Sequence, residues 1–205
     1  VTMRKLWGRL TSVNVQKAVW GLDEAGLAYE RINAGGAHGV VADPAYRAKN
    51  PNGLVPTLEE DGFVLWESNA ILRYVASTAP ALALPADPRA RAHVEQWLDW
   101  QATTFTPAMR DAFWQLYRSA NPDRTVVAAS ITRSEALAAI LDAHLADRNY
   151  MVGDGFGIAD IALGCAAHRW LNLPVERIER PALRRWYERL AGRPGASRAL
   201  GEPIA

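Results

Sequence analysis

Residues 77–88 read Ser-Thr-Ala-Pro-Ala-Leu-Ala-Leu-Pro-Ala-Asp-Pro, with three prolines and no charge before Asp87. Proline fixes φ and has no N–H to donate, so neither a helix nor a central strand runs through such a stretch. The hydrophobic pattern also changes across it. Before it, apolar residues switch between strand-like and helical spacing; after it, every long segment has a helical period. The chain therefore divides into residues 1–80, a linker at 81–88 and an all-helical part at 89–205. Its 205 residues, 49% of them apolar, are enough for two small cores.

In the first part, residues 3–9 read as a short strand that stops at Thr11-Ser12. Val15, Ala18, Val19, Leu22 and Ala25 then recur at helical spacing until Gly26, and residues 27–32 resume an extended pattern. Strand, helix and strand with short joints predict a parallel βαβ unit. Residues 33–53 are loop-like, with a helical turn expected at Asp43-Pro44. Two short apolar-bearing runs, 57–59 and 63–66, flank an Asp61-Gly62 hairpin signal, and Glu67-Ser68 opens a helix carrying Ala70, Ile71, Tyr74 and Val75. The order is βαβ-ββα. In the helical part, periodic residues run from Ala90 through Val94, Trp97, Leu98, Gln101 and Phe105 to an expected break at Pro107. They continue from Ile131 to Leu145, at 158–171 and at 182–191. The fold class is α/β followed by a helical bundle.

Composition removes several classes of function. With 23 basic against 22 acidic residues and a net charge of +1, nothing favours a nucleic-acid partner. Cys165 is the single cysteine, so one chain forms neither a disulfide nor a thiolate cluster; within Ile161–Ala167 it reads as buried filler. His38, His93, His144 and His168 lack metal-ligand spacing, and no metal is expected. No apolar run approaches the ~20 residues of a membrane helix, so a soluble, cytoplasmic protein is expected.

Two motifs carry the chemistry: Asn50-Pro51-Asn52-Gly53-Leu54-Val55-Pro56-Thr57-Leu58, and Glu67-Ser68-Asn69-Ala70-Ile71. They resemble the NPxGxVPxL and ESxAI signatures of the cytosolic glutathione S-transferases, at their proper separation, and the likeness covers almost the whole chain. The resemblance is to the bacterial, serine-type, theta/phi/beta-like members. The resemblance implies a thioredoxin-like first domain, glutathione as co-substrate without a metal, a role in detoxification, and a homodimer. It also implies a cis peptide before Pro56, which presents the Val55 backbone to pair in strand fashion with the cysteinyl group of the tripeptide. Leu54, Val55 and Pro56 are thereby glutathione-binding candidates. At Glu67-Ser68 the unpaired N–H groups and positive dipole end of a helix suit the γ-glutamyl carboxylate, with the Glu67 carboxylate for the ammonium. A plain turn proline and a plain N-cap serine are the structural alternatives.

Glutathione chemistry needs an ionised thiol, whose pKa of ~8.5 is lowered by a hydroxyl donor at a helix N-terminus. The resemblance puts Ser12 at the catalytic serine, with Thr11 and Asn14 as alternative donors; a capping role is the competing reading of Ser12. Several classes of the family carry His or Lys where Val41-Ala42 stand, so His38, Lys49 or Asn52 would have to serve the glycyl carboxylate. Gly157-Ile158-Ala159-Asp160 replaces the family's Ser/Thr-x-x-Asp, and Asp160 is expected to bond back to the helix start. A second, electrophilic and mostly apolar substrate is expected between the domains. Trp97, Trp100, Arg110, Trp114, Tyr117 and His168 are candidates for its wall, although aromatic residues at helical spacing more often form core or dimer contacts. A glutathione-dependent peroxidase or isomerase, and a non-catalytic glutathione-binding scaffold, are the alternatives to a transferase.

Overall fold

The computed structural model describes residues 3–82 and 84–204. The linker's Ala83 and the terminal residues 1, 2 and 205, which fall within the expected domains, lie outside the described residues. The chain forms two compact units, Val1–Leu84 with Arg193–Pro203, and Pro85–Gly192 with Ile204–Ala205.

In the first unit β1 (Arg4–Trp7), α1 (Val13–Glu24) and β2 (Tyr29–Ile32) make the βαβ unit, with β1 and β2 parallel. A short α2 (Pro44–Arg47) follows, then β3 (Thr57–Glu60), β4 (Phe63–Trp66) and α3 (Ser68–Thr78). Strand order is β2-β1-β3-β4, the last two junctions being antiparallel. Asp61 and Gly62 both have positive φ, 47° and 85°, as a two-residue type I′ hairpin requires. Leu6 and Leu58 pair across β1 and β3, and both are fully buried. The hydrophobic face of α1 is wider than the sequence period indicates. Lys17, Gln16 and Trp20 are buried alongside the apolar residues.

Two helices cover that face: α3, to which Lys17 bonds at Asn69, and α10 (Pro194–Ala199), which lies against Trp20. Residues 193–203 thus join the first unit, whereas the sequence places them with the helical part. Arg193 donates a two-pronged bond to Glu24, Nε to Oε1 and Nη2 to Oε2, both 2.9 Å. Burial works to raise the Glu24 carboxyl, but this fork and the Trp20 indole hold it below its ordinary value. Gly195 permits the approach, because a Cβ there would stand 2.9 Å from Cδ1 of the fully buried Trp20. Gly195→Ala is therefore expected to destabilise the protein by about 1–3 kcal/mol, read as a lower urea midpoint followed by tryptophan fluorescence.

The second unit is helical throughout its regular structure: α4 (Pro88–Trp100), α5 (Thr106–Ala108), α6 (Arg110–Arg118), α7 (Arg124–His144), α8 (Ile158–Asn172) and α9 (Pro181–Ala191). Asp87 caps α4 by accepting from Ala90 N at 2.8 Å. Pro107 does not end this run as expected. A π-helical turn at Gln101–Phe105 carries the chain into α5, where Pro107 sits in the first turn and its missing N–H leaves no gap in the ladder. α8 is the core helix, buried continuously from Ile158 to His168. Its Asp160 bonds back to Gly157 N (3.0 Å) as expected, and also accepts from Met151 N and Trp186 Nε1, both 2.9 Å. Among the described residues no helix is long and apolar enough to cross a membrane.

Candidate active site

The β1–α1 turn and the start of α3 are brought together in the first unit. Ser12 is the N-cap of α1 with φ −88° and ψ 120°, yet its hydroxyl makes no side-chain capping bond among the described residues. The capping role that competed with a functional one is thus unfilled. Asn14, one residue into α1, accepts a hydrogen bond from Ser68 Oγ at 3.2 Å. Ser68 is the first residue of α3 and is buried.

Neither helix has an acidic residue in its first turn or a side-chain cap. Two positive dipole ends with uncapped N–H groups therefore meet at one place, an arrangement that suits anions. A third positive charge lies behind them. Lys17, 1% exposed, donates from Nζ to Asn69 Oδ1 at 2.8 Å and so ties the second turn of α1 to the first turn of α3. Glu67 precedes α3 with φ 73°, a conformation rare outside glycine, and its side chain is exposed. Residues held this way cost about 1–3 kcal/mol and cluster at functional sites.

The second wall of the site is the segment 54–57. The Val55-Pro56 peptide is cis. Leu54 is exposed, Val55 half-exposed and Pro56 buried. The segment is held from beneath by Tyr46 and Asn50, each 2% exposed. Tyr46 OH donates to the Leu54 carbonyl (2.6 Å) and lies 2.8 Å from Thr57 Oγ1; Asn50 Nδ2 donates to the same two oxygens at 3.0 and 3.1 Å. Burial pushes the Tyr46 phenol above its ordinary pKa, so it stays a protonated donor. One pair of side chains thus fixes the residues on both sides of Val55-Pro56.

The three residues considered for the glycyl carboxylate are placed differently. Lys49 Nζ bonds Glu59 at 2.8 Å and lies 4.6 Å from the Trp7 ring centroid. Asn52 is turned back onto Asn50 Oδ1, to which both its N and its Nδ2 donate at 3.1 Å. His38 is exposed at the end of the one-turn 3₁₀ helix Gly36–His38.

In the second unit the aromatic candidates separate into two groups. Trp97 and Trp100 share a helix face, as their spacing predicts, with ring centroids 5.3 Å apart. Each also packs inside the unit, Trp97 on His144 and Trp100 on Phe105. His168 is buried, with Nδ1 2.6 Å from Tyr187 OH, and burial together with the Arg169 charge lowers its pKa. By contrast, Arg110 and Trp114 are exposed, and Tyr117 stacks on Phe113. Cys165 is fully buried. Among the described residues no group of three or more His, Cys, Asp or Glu side chains is placed to hold a metal ion.

Comparison with known proteins agrees with this geometry. Residues 3–77 match the model for the glutathione S-transferase N-terminal domain, and residues 124–189 match that for the C-terminal domain. The chain is 39% identical to glutathione S-transferase GstB of Escherichia coli K12 over 208 aligned positions, which cover 99% of this chain and all of that protein. It is 30% identical to the probable glutathione S-transferase GSTF2 of rice, covering 95% and 94% of the two chains. Among solved structures, the theta class glutathione S-transferase of Xanthomonas axonopodis pv. citri with glutathione bound superposes with a TM-score of 0.95. That protein is 45% identical, and the alignment covers 98% of this chain and 99% of the other. With both domains matched in order and identity sustained over the full length, the chain belongs to the glutathione S-transferase family.

Proposed function

We propose that this chain transfers the glutathione thiol to an electrophilic, mostly apolar small molecule, with Ser12 as the donor that holds the sulfur ionised. The observation that carries the reading is the meeting of two uncapped helix N-termini at Asn14 and Ser68. The Ser68 N–H and the other first N–H groups of α3 take the γ-glutamyl carboxylate, the Ser68 hydroxyl releasing Asn14 Oδ1 if it joins them, and the exposed Glu67 takes its ammonium. The backbone of Val55, held by Tyr46 and Asn50, pairs with the cysteinyl group. Ser12 is favoured over Asn14 and Thr11 as the group facing sulfur because it is the N-cap of α1 and its hydroxyl makes no capping bond, whereas the Asn14 amide is oriented toward α3 by the bond from Ser68. The thiol proton leaves to solvent. The sulfur then forms a bond to the electrophilic carbon, as the halide of an aryl halide departs with its electron pair or as the C=N pair of an isothiocyanate moves to nitrogen and takes a proton from solvent; Ser12 forms no covalent intermediate.

Of the residues considered for the second substrate, Arg110 and Trp114 are the stronger candidates, since Trp97, Trp100, His168 and Tyr117 each pack on another ring or side chain in the second unit. The same reading makes the protein a cytoplasmic homodimer that acts in detoxification. Calorimetry with glutathione, followed by turnover on aryl halides, isothiocyanates and hydroperoxides, tests it. Binding with turnover on the first two classes is expected. Binding without any turnover would leave only a scaffold, and turnover confined to hydroperoxides would make it a peroxidase. Tyr46→Phe removes one of the two donors to the Leu54 carbonyl and is expected to weaken glutathione binding about fivefold, with kcat at saturating glutathione retained.

A further inference from the structure

Gly35 and Gly36 both have positive φ, 79° and 59°, and the loop they form lies against a side chain from the β1–α1 turn. A Cβ on Gly35 would stand 2.8 Å from Arg9 Nη1 and 3.4 Å from both methyl groups of Val55. A Cβ on Gly36 would stand 3.0 Å from Arg9 Nε, 3.2 Å from Cδ and 3.3 Å from Cζ. The guanidinium of Arg9 therefore runs along the bare backbone of the glycine pair and ends beside Val55. At its other end, the Arg9 carbonyl accepts from Ser12 N at 3.2 Å, so the residue belongs to the same turn as the proposed sulfur donor.

We propose that Arg9 is a substrate-binding residue that receives a carboxylate next to Val55. The inference rests on the glutathione reading above. A guanidinium presents a planar fork of N–H donors that matches a carboxylate with two parallel bonds, which a lysine ammonium does not. Two residues considered for the glycyl carboxylate, Lys49 and Asn52, are turned to Glu59 and Asn50, and Val41-Ala42 offers neither His nor Lys. Arg9 places a guanidinium beside Val55; of the other basic side chains near this loop, His38 is exposed at the end of the 3₁₀ turn and Arg47 lies against Gly53. The carboxylate has two possible sources, the glycyl end of glutathione or an acid group on the electrophile.

The test uses the full chain as Arg9→Met and Arg9→Lys, with glutathione and its glycyl monoethyl ester as thiols. The electrophiles are 4-chloro-3,5-dinitrobenzoate and its methyl ester. If the carboxylate is glycyl, Arg9→Met raises the dissociation constant of glutathione at least tenfold and leaves that of the ester unchanged. If it belongs to the electrophile, glutathione binding is kept and only the benzoate loses kcat/KM, again at least tenfold. Arg9→Lys falls between in either case and covers the possibility that the methionine variant fails to fold. Equal effects on acid and ester forms of both substrates, or no effect on any, overturn the assignment. A wild-type protein that does not bind glutathione at all overturns the underlying reading, and the assignment with it.

Discussion

Ser12→Ala is expected to lower turnover about 10²-fold while glutathione affinity changes by no more than a few-fold. The physical basis is the difference between what Ser12 does for the fold and what it does for the bound thiol. As an N-cap serine it would stabilise α1 by ~1 kcal/mol, but its hydroxyl makes no capping bond, so its removal costs the helix little. A hydroxyl that donates to an anionic sulfur acts on the ionised form alone, and a hydrogen bond to a charged group is worth about 1.5–3 kcal/mol. The variant is therefore expected to fold, to bind glutathione, and to bind it as the thiol. Asn14→Ala is predicted to behave differently, because it breaks the contact with Ser68 and raises the KM for glutathione. If Asn14→Ala abolishes turnover and Ser12→Ala does not, the sulfur faces Asn14.

The largest loss of stability is expected from Asp160→Ala, about 3–5 kcal/mol, measured by urea unfolding. Three N–H groups point at this one carboxyl, those of Met151 and Trp186 buried and that of Gly157 partly so, and each loses its acceptor. Asp160→Asn retains an oxygen for Met151 and Trp186 while turning an NH₂ toward the Gly157 N–H, so its loss is smaller. Burial pushes the Asp160 carboxyl up to about 6, against the hydrogen bonds from Trp186, Met151, Gly157 and its own backbone N–H, which pull it down. The folded protein thus holds this proton more tightly than the unfolded chain, where the ordinary value is ~3.9. The contribution is full below about pH 4, declines as pH rises to about 6, and is level above that. The stability difference between wild type and Asp160→Asn should fall over that interval.

The features legible in the sequence are those set by local chemistry. Asp61-Gly62 demanded a hairpin and formed one with two positive φ values, and Gly26 closes α1 with φ 65°. The NPxGxVPxL and ESxAI motifs specify local backbone geometry, so the cis peptide expected before Pro56 and the helix start at Ser68 were both legible. What stayed hidden depends on residues meeting across the fold. α10 has six residues, too few to show a period, and its place against Trp20 depends on the absence of a side chain at Gly195. Asn50 was visible in its motif, but the convergence of Tyr46 and Asn50 on the Leu54 carbonyl was not. Lys17 is a cation on a helix that otherwise reads as amphipathic, and only the start of α3 explains its burial. Residues 33–53 read as a loop, so nothing pointed to Gly35-Gly36 as the bed for Arg9.

On the proposed function, the meeting of α1 and α3 at Ser12, Asn14 and Ser68 binds glutathione as its thiolate. Ultraviolet absorbance of the thiolate, followed against pH for glutathione bound to wild type and to Ser12→Ala, tests it most directly. The bound thiol is expected to ionise well below the ~8.5 of a free thiol in the wild type and to return toward that value in the variant. Bound glutathione that titrates like free glutathione, or identically in both proteins, would contradict it.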